Sequence, residues 1–309
     1  MCRNFPLSAD VDVNVVVVME FKPLIETRFA LGESPTYDDR RDALWFCDIV
    51  GRSVHKVSLD SLKLDRWVFP SEVCSLGLAE SGRLVVALRD KVVLFDPDSG
   101  GSETIARVEA ERPETRLNDG KVGPDGAFWV GSMDDRPEKA PIAALYRVEP
   151  GGKVERMIDG LTISNGLAFS PEGNSMFHAD TRGPWIDRWR FDRTSGTLSD
   201  RTRLAILDDS LGRPDGGATD SEGCYWSAGV SAGRLNRFTP QGELRDSVAL
   251  PVASPTMPCF GGSELDRLFV TSLRHNRPQE LLDRYPLTGT VLVADSPVRG
   301  APVSRFRDS

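Results

Sequence analysis

No C-x-x-C pair occurs in the sequence, and its five cysteines (Cys2, Cys47, Cys74, Cys224 and Cys259) are odd in number and far apart. That pattern suggests neither a zinc ribbon nor a disulfide framework, and isolated thiols fit a reducing compartment. A basic stripe is missing too. The 38 Lys and Arg are outnumbered by 46 Asp and Glu, for a formal net charge of −8, which argues against nonspecific nucleic-acid binding. The longest apolar run, VNVVVVMEF at residues 13–21, is too short to span a bilayer. It also lacks a basic flank leading into it and a small-residue cleavage site. A strand or poorly ordered leader is therefore expected over residues 1–20, and a cytoplasmic protein with no membrane partner. Absent as well are H-E-x-x-H and G-x-G-x-x-G, so a zinc-peptidase helix and a Rossmann nucleotide site have no support. The three histidines, His55, His178 and His275, show no metal-ligand spacing.

Helical periodicity is scarce. Short β-rich runs separated by Gly, Pro, Asp and Ser turns point instead to an all-β chain. The runs repeat: ALWFCDI at 43–49, GRLVVAL at 82–88, GAFWVGSM at 126–133, NSMFHADT at 174–181, GCYWSAG at 223–229 and DRLFVTS at 266–272. Each is followed by a second strand and a polar turn. The markers Phe46, Val86, Trp129, Phe177, Trp226 and Phe269 are spaced by about 40–49 residues, the period of propeller blades. One small sheet cannot cover both of its faces, but radial stacking gives each sheet two neighbours. The expectation is a six-bladed β-propeller over residues 21–309, with Leu24–Ala30 pairing to the last blade and closing the ring.

Blades need apolar strands and turn residues, so polar departures are informative. GES places Glu33 before the first unit, RLND places Arg116 and Asn118 before the third, ISNG places Asn165 before the fourth, and RPDG places Asp215 before the fifth. Singly, each has an ordinary explanation: a solvated acid, a surface arginine, or the turn dipeptides Asn-Gly and Asp-Gly. Their recurrence at one phase of the repeat puts them at one end of the ring. Glu33, Asn165 and Asp215 together offer oxygen alone, a donor set for one hard divalent cation (Ca, Mg or Mn, with Zn tolerated). Arg116 and Asn118 would bind hydroxyl or carbonyl oxygens of a polar substrate.

In this order GESPTYD, RLNDGKVGPDGAFWVGSM, ISNGLAFSPEG, RPDGGATDSEGCYWSA and PTMPCFGGSELDRLFVTS resemble the family of senescence marker protein (regucalcin) and the gluconolactonases. The likeness runs from about Leu31 to Phe306. It implies a six-bladed propeller with a divalent metal on Glu33, Asn165 and Asp215, a sugar lactone held by Arg116 and Asn118, and Asp215 as general base. The implied reaction is hydrolysis of an aldonolactone to the open sugar acid. Alternatives are a phosphotriesterase-like or other ester hydrolase on the same site, or a non-catalytic metal-binding propeller. Departures from the family pattern fall at Arg136, where some relatives carry an acid and the nearest acids here are Asp134 and Asp135. Others fall at His178, at WIDRW (185–189), and at Gly217, where relatives often carry a larger apolar residue. Nothing in the sequence sets the oligomeric state.

Overall fold

The computed structural model describes residues 19–308. The leader expected over residues 1–20 lies, apart from Met19 and Glu20, outside the described residues. Six four-stranded antiparallel sheets form a ring, a six-bladed β-propeller. The innermost strands of blades I to VI are Gly32–Asp38, Val73–Leu78, Thr115–Val122, Ser164–Phe169, Pro214–Thr219 and Pro255–Gly261. The marker residues occupy the second strands, and the polar segments that the sequence places in the approaches to the blades are the innermost strands themselves.

Ring closure joins the two ends of the chain. The outer strand of blade VI is N-terminal, Lys22–Pro23, paired antiparallel to Leu292–Asp295. The contact continues through the Leu24 N–H to Val291 O at 2.8 Å and the Phe29 N–H to Gly289 O at 2.7 Å. An edge that would otherwise lie bare is thereby covered.

Apolar residues on both faces of each sheet meet those of the next blade, giving six apolar clusters among the described residues, one per blade interface. Phe46 and Phe269 share the VI–I cluster, Trp129 and Phe169 the III–IV cluster, and Phe177 and Tyr225 the IV–V cluster. Polar anchors recur as well. In blade III, Asp125 of the PDG turn accepts from Trp129 Nε1 (3.2 Å) and Arg147 Nε (2.6 Å). In blade V, Asp220 accepts from Trp226 Nε1 (2.9 Å) and Arg237 Nε (2.7 Å). Each turn carboxylate thus pins the two strands behind it.

The C-terminal segment crosses one end of the channel. Phe306, fully buried, bridges Ala79 in blade II, and the Arg307 N–H reaches Gly126 O in blade III at 3.1 Å. Residues 301–304 and the late positions of the inner strands, such as Thr36, Val122 and Thr219, enclose a cavity of about 280 Å³. Glu33, Asn118 and Asp215 lie three or four positions earlier on those strands, toward the other mouth. No helix among the described residues is long and apolar enough to cross a membrane.

Candidate active site

In every blade the pairing of the innermost strand with the second slips by one residue at the same place. The slips fall between Val73 and Ser75, and between Glu33 and Thr36, Leu117 and Gly120, Asn165 and Ala168, Pro214 and Gly217, and Pro255 and Pro258. A bulge frees backbone from the ladder and re-aims side chains. Glu33, Asn118, Asn165 and Asp215 all lie in or beside these bulges, which is how a repeating scaffold turns four separate segments toward one channel mouth. At Gly166 (φ +70°) a Cβ would stand 2.5 Å from Tyr225 Oη, so the Asn-Gly of this bulge cannot take a larger second residue.

A directed chain of hydrogen bonds links three of the blades. Thr181 Oγ1 donates to Pro214 O at 2.7 Å and must therefore accept from Asn165 Nδ2, also at 2.7 Å. That fixes Asn165 with its oxygen toward Asn118, whose Nδ2 donates to Asn165 Oδ1 and to Ser164 O, both at 3.0 Å. Asn118 Oδ1 in turn accepts from Arg116 Nη1 at 2.9 Å. Each amide orientation follows from the one before it.

Three carboxylates share this mouth. Burial pushes Glu33 well above the usual carboxylate range, and repulsion from Asp215 and Asp119 adds to it. Asp215 is raised in the same way, by burial and then by Asp119, with Arg116 opposing. Asp119 is raised mainly by burial, while Lys121 pulls it down. Its Oδ2 accepts from the Leu167 N–H at 2.9 Å, and its buried Oδ1 has no partner. Among the described residues no three His, Cys, Asp or Glu side chains by themselves form a metal-holding group. The set at issue is two carboxylates and the Asn165 amide oxygen. Buried negative charge with too little positive charge beside it, presented as oxygen donors, fits a hard divalent cation.

The sequence-derived residues are thus distributed as follows. Asn118 and Asn165 are in contact, Glu33 and Asp215 interact electrostatically, and Arg116 acts on both acids. Asp119 and Lys121 belong to the same cluster and were not singled out from the sequence, although both stand in the quoted NDGK segment. Lys121, its pKa lowered by burial, donates to Gly217 O at 2.7 Å across the channel. An acid and a base two residues apart in a bulged strand was the available signal. Asp134 has a fully buried side chain that accepts from Arg136 Nε at 2.9 Å and from the Ala140 N–H at 2.7 Å, so it shapes its loop. Asp135 instead lies beside Arg116 (3.5 Å) and Arg89 (2.9 Å). His178 is packed away from solvent against Ser164 Oγ at 2.8 Å, and burial lowers its pKa to about 3. At Gly217 the absent side chain is replaced by Tyr225, whose Oη would stand 2.4 Å from a Cβ there and donates to Gly166 O at 2.9 Å.

The fold and the site define a six-bladed propeller with an oxygen-rich, acid-lined channel mouth. The family model described as "SMP-30/Gluconolactonase/LRE-like region" matches residues 31–274, and the chain belongs to that family. It is 34% identical to the 6-deoxy-6-sulfogluconolactonase of Pseudomonas putida over 285 residues, covering 92% of this chain and 98% of that one. It is 33% identical to the L-arabinolactonase of Azospirillum brasilense, covering 92% of this chain and 94% of the other. A solved structure of regucalcin from Agrobacterium tumefaciens, described as a calcium-binding protein, superposes with a TM-score of 0.89 at 27% identity, over 94% of this chain and 98% of that one.

Proposed function

We propose that the protein hydrolyses a sugar lactone to its open-chain acid, with a divalent cation held by Glu33, Asn165 and Asp215. The observation that supports this reading is the repulsion between Glu33 and Asp215 at one channel mouth, with Asn165 tied through Thr181 to Pro214, the residue before Asp215. The lactone-hydrolysing names of two relatives support the substrate class. When bound, the cation supplies positive charge that polarises the lactone carbonyl and offsets the charge developing on its oxygen.

The remaining chemistry belongs to side chains. Asp215, at the same channel mouth, accepts the proton of the attacking water as general base. Arg116 and Asn118, already locked to each other at 2.9 Å, hold the ring oxygens so that water meets the carbonyl carbon. Ring opening leaves the carboxylate at C1 and the hydroxyl on the former ring-ester carbon. Buried isolated thiols at Cys47, Cys74, Cys224 and Cys259 suit a cytoplasmic setting.

The test is a pH-stat screen of aldonolactones with and without chelator, with spontaneous ring opening subtracted, repeated on Asp215→Ala. Chelator-sensitive turnover that is lost in the variant is expected. Full activity in Asp215→Ala would remove the base. Turnover of an organophosphate in place of lactones would favour the ester-hydrolase alternative, and divalent-ion binding without turnover would favour a non-catalytic metal-binding propeller.

A further inference from the structure

Lys139 and Arg182 stand near the channel mouth with no carboxylate within salt-bridge reach among the described residues. Register puts them there. Thr115 pairs with Asp134, so the loop after the second strand of blade III, which carries Lys139, leaves beside the Arg116 end of its inner strand. Ser164 pairs with Asp180, so Thr181 and Arg182 leave beside Asn165. Thr181 is itself bonded to Asn165 at 2.7 Å.

Both loops are built rather than loose. Lys139 sits at φ +56°, a conformation rare for a lysine, and its Nζ donates to Asp134 O at 2.6 Å. The turn at Arg182 is capped by Asp180 Oδ1, which accepts from its N–H at 2.8 Å. Lys139 is close enough to Arg116 and Arg182 for both to disfavour its charge, on top of burial. Asp135 and then Asp134 oppose this, but Asp135 already serves Arg89 and Arg116, and Asp134 is held by Arg136. The acids of the mouth do not account for the pair either. The charges acting on Glu33 and Asp215 are one another, Asp119 and Arg116. On a chain of net charge −8, cations that outnumber the free acids beside a substrate site are arranged for an anion.

We propose that Lys139 and Arg182, together with Arg116, form a subsite for an anionic substituent, so that the lactone hydrolysed carries a carboxylate, sulfonate or phosphate at the sugar terminus remote from the ring ester. This rests on the lactonase reading of the site. A neutral hydroxymethyl terminus offsets none of the repulsion between the Lys139 ammonium and the Arg182 guanidinium, whereas a trigonal or tetrahedral oxyanion accepts from both.

Two measurements test it. In the first, kcat/KM is compared for D-glucono-lactone and for lactones bearing a carboxylate, a sulfonate or a phosphate at the far terminus, in the intact chain and in Lys139→Ala and Arg182→Ala. At least a tenfold preference for one anionic lactone is expected, shrinking severalfold or more in each variant and with added salt. The best of the three arms identifies the anion. In the second, calorimetry compares D-glucitol 6-phosphate with D-glucitol, ligands that need no turnover. Tighter binding of the phosphate, lost in Arg182→Ala, supports the subsite even if no lactone is hydrolysed, in which case the lactonase reading alone falls. Efficient turnover of the neutral lactone with no anionic preference in either measurement overturns the subsite and leaves the lactonase reading standing.

Discussion

Asn118 Nδ2 donates to Asn165 Oδ1 at 3.0 Å across the boundary between blades III and IV, so a residue proposed to hold substrate sets the orientation of one proposed to hold the cation. Behind them Thr181 completes the arrangement by accepting from Asn165 and donating to Pro214 O. Thr181→Val keeps the shape and removes both bonds. Outer-shell partners of metal ligands typically contribute about 10–100-fold in affinity, and a loss of that size is expected in a calorimetric titration with calcium or manganese. Unchanged affinity would show that Asn165 needs no such alignment.

Protons and the cation compete at Glu33 and Asp215. Both acids are raised above the usual carboxylate range by burial and repulsion, so without a cation they retain protons to higher pH than exposed acids do. Loading the ion therefore displaces protons, and affinity falls as pH falls. Divalent-ion titrations at pH 8 and pH 5.5 in buffers of different ionisation heat would show weaker binding and greater proton release at the lower pH. An affinity independent of pH contradicts the assignment of these two acids as ligands.

Histidine burial gives a stability signature of definite sign. His178 is lowered from 6.5 to about 3 and His55 to about 4, in both cases chiefly by burial. Their folded forms stay neutral, while the unfolded chain takes up protons below pH 6.5. The stability they contribute is complete above that value and is lost as pH falls toward 4, by roughly 1.4 kcal/mol per pH unit for each histidine. Between pH 6 and 4.5, urea midpoints of the ion-saturated protein should fall, and His178→Gln should fall less steeply. Equal slopes would mean that His178 is protonated in the folded state.

The ring was legible in the sequence because each blade repeats the same burial problem. A strand that faces neighbours on both sides reads as an unbroken apolar run, and the markers from Phe46 to Phe269 are all buried. Closure by the N-terminal segment was legible too, although the ladder pair falls at Lys22–Pro23, just upstream of the segment expected. The innermost strands were harder to see. Their bulges interrupt the two-residue alternation, so GES, RLND and PDG read as approaches to strands. Asp119 was hidden by its own neighbourhood, since an Asp-Gly pair reads as a turn and nothing local reveals that Oδ1 is buried without a partner. The Asp134–Arg136 pair was illegible for another reason: a salt bridge that turns a loop inward depends on where that loop runs.

The two ends of the channel should be separable by mutation. Phe306 is fully buried in the II–III cluster, its N–H donates to Leu78 O at 2.8 Å, and its carbonyl accepts from Glu80 at 2.9 Å. Two residues on, Asp308 accepts from Arg83 at 2.9 Å, so the segment is fastened to blade II at a second point. Phe306→Ala removes a ring from a packed interface and is expected to cost about 3–5 kcal/mol, read as a lower urea midpoint with an unchanged slope. The acids lie at the opposite mouth, on bulges held by bonds such as Ser34 Oγ to Leu76 O at 3.1 Å and Thr256 Oγ1 to Gly32 O at 2.6 Å. Those bonds do not involve the C-terminal segment. Turnover per folded molecule at 25 °C should therefore stay within about twofold of the parent. A large drop in kcat in the folded variant would mean that the tail sets the geometry of the far mouth through the channel, and the independence of the two ends would have to be given up.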